Sequence, residues 1–153
     1  MSCAVLSAMM LFMTPVGAEA AAPTHPVAVS ALSREPLYAD IVRRARGLHS
    51  QVQLWQRQGQ VPAANMAQFE RDLVVLAERD MKAHHDLAKR GTDSDLKCIL
   101  KGISEDLQVK LAALQQAKDD TTRRTALEDM GYLLNDNVEV ITTPPTVQSG
   151  KEG

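Results

Sequence analysis

The sequence predicts an all-α protein: an antiparallel up-down four-helix bundle that follows a cleavable signal peptide. Three observations predict it. Four successive segments carry apolar residues at spacings of three and four, the repeat that gives a helix one buried face. Gly, Pro and polar residues separate these segments by only a few positions, and short connections make neighbouring helices antiparallel. Aromatic residues make up only 3% of the chain, so the core must be built from Leu, Ile, Val, Ala and Met, which suits helix-on-helix packing.

The chain opens with Ala4–Met13, a run of apolar and small residues too short to span a bilayer as a helix. Pro15 and Gly17 break the run, and Ala18-Glu19-Ala20 fits the small-x-small pattern that a signal peptidase cuts. Residues 1–20 therefore read as a signal peptide, and the mature protein as periplasmic or secreted. Such signals begin with Lys or Arg. The first such residue here is Arg34, so this reading places the natural start upstream of Met1. Cys3 precedes the apolar run, whereas the acylated Cys of a lipoprotein would follow it.

Residues 21–32 hold Pro23 and Pro26 among small residues and read as a flexible leader. The bundle is expected over 33–141. Its first helix runs from about Arg34 to Gln58, with Ser33 as N-cap and Pro36 in the first turn. Leu37, Ile41, Ala45, Leu48, Val52 and Trp55 form its stripe, and Gly59 stops it. The second helix runs from about Pro62 to Arg90, where Gly91 ends it; Met66, Phe69, Leu73, Leu76, Ala77, Leu87 and Ala88 share a face.

The third helix starts at a cap, Thr92 or Asp93, and reaches about Lys118, with Leu96, Leu100, Ile103, Leu107, Leu111 and Leu114 as its stripe. The fourth starts after Asp120 or Thr121 and runs to about Val140, on Leu127, Met130, Leu134, Val138 and Ile141. Asn135-Asp136-Asn137 is poor helix, and Val138–Thr143 has the composition of an extended segment. Pro144-Pro145 ends regular structure, and 142–153 reads as a disordered tail.

Composition excludes several classes of function. The net charge is −2, and −1 once Glu19 is removed with the signal. Without a basic patch, charge-driven binding to nucleic acid or anionic lipid is not expected. After Phe12 leaves with the signal, Tyr38, Trp55, Phe69 and Tyr132 are too few to stack a series of bases. The mature chain holds no further apolar stretch of spanning length, so no transmembrane segment is expected in it. Neither a nucleophile elbow nor a Gly-rich phosphate loop is present, and no enzymatic activity is expected.

The residues with most chemistry lie on the second helix. Asp80 and His84, four apart, fall within its apolar stripe, and Met81 and His85 form a second pair at the stripe's edge. His49 sits at the border of the first helix's stripe. Imidazole, thioether and carboxylate together make a copper-like metal site one reading, with His84, His85, Asp80, Met81 and His49 as candidate ligands. The plainer reading is structural: Asp80 hydrogen-bonds His84, Met81 fills core, and His85 is solvated. No complete ligand motif is present, neither His-Glu-x-x-His nor Glu-x-x-His nor Cys-x-x-Cys, and no cofactor is expected on the plainer reading.

The segment Leu127-Glu128-Asp129-Met130-Gly131-Tyr132-Leu133-Leu134-Asn135-Asp136-Asn137-Val138 locally resembles the opening helix of soluble periplasmic b-type cytochromes, themselves four-helix bundles. Gly131 stands where that family has its axial Met, Met130 comes one place early, and no His follows to act as second ligand. Haem is therefore not expected.

Cys98 is the single cysteine of the mature chain, so it cannot form an internal disulfide. It lies roughly opposite the Leu stripe of the third helix, with Gly102, Val109 and Ala113 on the same side. This second, weaker face could meet a partner protein or another copy of the chain. The expected function is that of an exported non-enzymatic accessory or binding protein of the cell envelope; the alternative is a periplasmic metal-binding protein.

Overall fold

The computed structural model describes residues 30–143. The proposed signal peptide, residues 21–29 of the leader and residues 144–153 of the tail lie outside the described residues. The described chain is all-helical. Four long helices follow one another, α1 (Pro36–Gln58), α2 (Ala63–Arg90), α3 (Ser94–Gln116) and α4 (Asp120–Thr142), and there is no strand among the described residues. None of these helices is long and apolar enough to cross a membrane.

A short 3-10 turn, Ala31–Arg34, precedes α1. Ser33 is part of this turn and does not cap α1: its hydroxyl donates back to the Ser30 carbonyl oxygen at 2.7 Å. The cause is Pro36. A residue before proline is pushed out of the helical region, and Glu35 is extended (ψ 141°), so α1 cannot begin before Pro36. Ala31 and Leu32, the last two residues of the expected leader, lie in this turn, with Leu32 packed against the core.

The helix ends follow local chemistry. Gly59 and Gly91 adopt left-handed conformations (φ 68° and 66°), which glycine reaches at no steric cost. Asp93 occupies the cap position of α3 but is itself left-handed, and its side chain makes no capping bond. The α4 start lies one to two residues earlier than the sequence suggests, because Asp119 forms a reciprocal capping box with Thr122. Its carboxyl is held below the usual carboxylate range, chiefly by the Thr122 backbone N–H.

Helix α4 also runs on to Thr142, through Asn135-Asp136-Asn137 and the segment expected to be extended. Each poor helix former costs about 0.5 kcal/mol. Full burial of Leu134 and Ile141, roughly 2 kcal/mol apiece, outweighs that. Asn135 also spends its amide locally, on Glu139 one turn on.

Each helix packs on two others, α1 on α2 and α4, and α3 on α2 and α4, around one apolar core. The cross-helix bonds fix the register. Tyr38, early in α1, donates to Asp86, late in α2, at 3.0 Å. Trp55, late in α1, meets Phe69, early in α2, with ring centroids 4.9 Å apart. Ser104 of α3 donates its hydroxyl to the Ala77 carbonyl of α2 at 2.8 Å. Lys110 of α3 pairs with Asp129 of α4, and the Ser30 N–H reaches the Thr142 carbonyl at the end of α4. The buried set follows the expected stripes with few departures: Ala88 is exposed, while Leu37, Met66, Leu96 and Val138 are only partly buried.

Candidate functional site

The polar centre of the molecule is a pair that the sequence half disclosed. Asp80 of α2 and Asn137 of α4 are both fully buried. Asn137 Nδ2 donates to Asp80 Oδ2 at 2.7 Å. The expected Asp80–His84 bond is not made, because Asp80 points inward to α4 while His84 turns toward α3. The other oxygen of each side chain, Asp80 Oδ1 and Asn137 Oδ1, has no hydrogen-bond partner. Burial pushes the Asp80 carboxyl up to about 8, against the smaller downward pull of the Asn137 hydrogen bond. Sequence reading missed Asn137 because it assigned the stripe position to Val138. The signal was present: residues 130, 134, 137 and 141 continue the spacing of three and four.

The candidate metal ligands do not form one set. His84 is half-buried, and its Nδ1 lies 2.8 Å from the Lys97 carbonyl oxygen on α3. A carbonyl only accepts, so Nδ1 carries the proton. His85 is exposed; with Met81 it lines a furrow on the outer side of α2 that also takes in Leu37, Glu78 and Asp86. The two imidazoles stand edge to face, 5.1 Å between centroids. Asp80 is committed to Asn137 inside the core. His49 is in another furrow, between α1 and α4. Among the described residues no three His, Cys, Asp or Glu side chains gather around one point.

The α1–α4 furrow is lined by His49, Gln53, Gln56, Glu128, Gly131, Tyr132 and Asn135. Gly131 is its floor and sits against Val52 and Gln56. Tyr132 stands at its rim with 73% of its surface exposed, the most exposed large side chain of apolar body in the described chain. On α3, the residues of the suggested second face differ in exposure. Cys98 is a free, exposed thiol, Val109 is 62% exposed, Ala113 is exposed and Gly102 is half-buried. Ile99 and Gly102 continue into a groove against Leu133 and Val140 of α4.

A polar knot joins the start of α1 to the end of α2. Arg90 grips both carboxylate oxygens of Glu35 (2.6 and 3.0 Å) and also reaches Asp86, which accepts from Tyr38. The Arg90 bond holds the Glu35 carboxyl below its ordinary range. Burial, then Asp86, raises the Tyr38 hydroxyl above its own, so the phenol stays a donor.

Comparison with protein-family models, with curated proteins and with solved structures finds no match to this chain.

Proposed function

We propose that the protein is an exported, non-enzymatic accessory or binding protein of the cell envelope, a bundle that engages a protein partner or a second copy of itself through its outer surface. Residues 1–20 address it to the periplasm or the medium, and cleavage after Ala20 releases the domain. The helices run up and down in antiparallel order. Support comes from cross-helix bonds in which an early residue of one helix meets a late residue of the next, as Tyr38 of α1 meets Asp86 of α2 and Glu70 of α2 meets Gln115 of α3.

The observation that carries the binding role is Tyr132. A tyrosine held on a long helix, largely exposed, beside a furrow lined by Gln53, Gln56 and Asn135 is the kind of residue that anchors interfaces. The titratable groups offer a weaker basis for catalysis. Asp80 is sealed from solvent, His84 is held by the Lys97 carbonyl, and His49 and His85 lie in separate furrows.

A photo-crosslinking amino acid placed at Tyr132, and at exposed Arg71 as a control, tests this in the cell of origin. The proposal expects a discrete cross-linked adduct from position 132 only. Adducts equally from both positions, or from neither, overturn it.

A further inference from the structure

The two unpartnered oxygens in the core belong to the same pair of side chains. Asp80 and Asn137 already share one bond, from Asn137 Nδ2 to Asp80 Oδ2, and what remains is one oxygen on each, both buried. Leaving two such acceptors unmade inside a core carries a full desolvation penalty twice over. A single hydrogen would satisfy both.

We propose that the bundle binds one proton at this place, on Asp80 Oδ1, which donates to Asn137 Oδ1 and closes a two-bond acid–amide ring. The ring joins α2 to α4, helices that do not pack on each other and face one another across the core. It is a proton-dependent clasp through the middle of the bundle. At alkaline pH the carboxyl gives its proton to solvent, the second bond is lost, and a buried carboxylate confronts the Asn137 carbonyl oxygen.

Neighbouring charges do not compete for this proton. On α1, Asp40 is engaged with Arg43, Arg44 and, on α2, Arg79 at the surface. On α3, Lys101 pairs with exposed Glu105, and the Lys97 carbonyl is taken by His84. On α4, Asp136 and Glu139 are exposed. On α2 itself, Arg79 is paired with Asp40, Glu78 and Lys82 are exposed, and His84 is turned to the Lys97 carbonyl. Only burial and Asn137 act on the Asp80 carboxyl.

The substitution Asp80→Asn is a direct test, because an amide at position 80 closes the same ring without a titrating proton: its Nδ2 donates to Asn137 Oδ1. Wild-type protein and Asp80→Asn are melted at pH 6 and pH 9. The wild type should lose about 10 °C more in Tm between these pH values than the variant does. At pH 9 the variant should be the more stable of the two. Equal pH dependence, or a variant already unfolded at pH 6, overturns the proposal. An independent reading is the 13Cγ signal of Asp80 in the wild type: a carboxylic acid at pH 6 supports the ring, and a carboxylate at pH 6 overturns it.

Discussion

Asn137 donates to Asp80 at 2.7 Å across the centre of the bundle, joining two helices that otherwise meet only through the core. Neither residue reaches solvent. Asn137→Ala would remove the bond and leave a buried carboxyl with no partner. The expected loss is about 2–3 kcal/mol at pH 7, read as the change in urea midpoint at constant m-value. A loss under half a kcal/mol would show that the pair contributes nothing to holding α4 in place.

The raised Asp80 carboxyl also sets the sign of a pH effect. Its folded value is about 8 against an ordinary value of 3.8. Below the unfolded value both states hold the proton, and the contribution to stability is complete. Between the two values the folded state alone holds it, so stability falls with rising pH, by up to ~1.4 kcal/mol per unit. Thermal melts between pH 5 and pH 9 should decline accordingly. Glu35, Asp40 and Asp119 act oppositely at lower pH: their depressed carboxyls lose stabilising bonds as pH falls below the ordinary carboxylate range.

Gly131 gives a prediction of opposite sign. A Cβ built there lies 3.6 Å from Gln56 and Val52, an ordinary contact, and the residue has helical neighbours on both sides. Gly131→Ala should therefore fit and add about 0.5–1 kcal/mol by helix propensity. A loss of stability on this change would mean that α1 and α4 approach more closely than this geometry has them.

Much of the fold is legible in the sequence because burial and periodicity express the same constraint. The stripes on α1 and α2 are continued by Ile41, Ala45, Val52, Leu73, Leu76 and Leu87, and these are buried. Pro36 and the backbone chemistry at Asp119 shift helix starts by a residue or two, since they act through local dihedrals and capping that periodicity does not see. The site was less legible. Asp80 stood out as a carboxylate within an apolar stripe. Its partner lies on a different helix, and a single sequence does not say which helix a buried polar group faces. Proximity along α2 points to His84, and the three-dimensional arrangement gives that imidazole to the Lys97 carbonyl instead.

The scattered placement of His49, Asp80, Met81, His84 and His85 leads to a prediction about metals. Copper or zinc should leave the Tm of the wild type unchanged, since only a ligand bound to the folded state raises it. A rise that disappears in His84→Ala with His85→Ala would establish the metal-binding reading in its place.

Cys98 is exposed, and Val109 and Ala113 share its side of α3. If that face meets a second copy, the protein cut after Ala20 should form a covalent dimer under mild oxidation that is lost in Cys98→Ser. If it stays monomeric on a non-reducing gel while Cys98 reacts freely with a thiol reagent, this face is not a homodimer seam.

Export underlies the whole functional proposal, and an intact mass tests it most directly. Protein recovered from the periplasm or medium of the cells that make it should begin at Ala21, with residues 1–20 removed. Protein that retains residues 1–20 and stays with the cytosol would contradict the account.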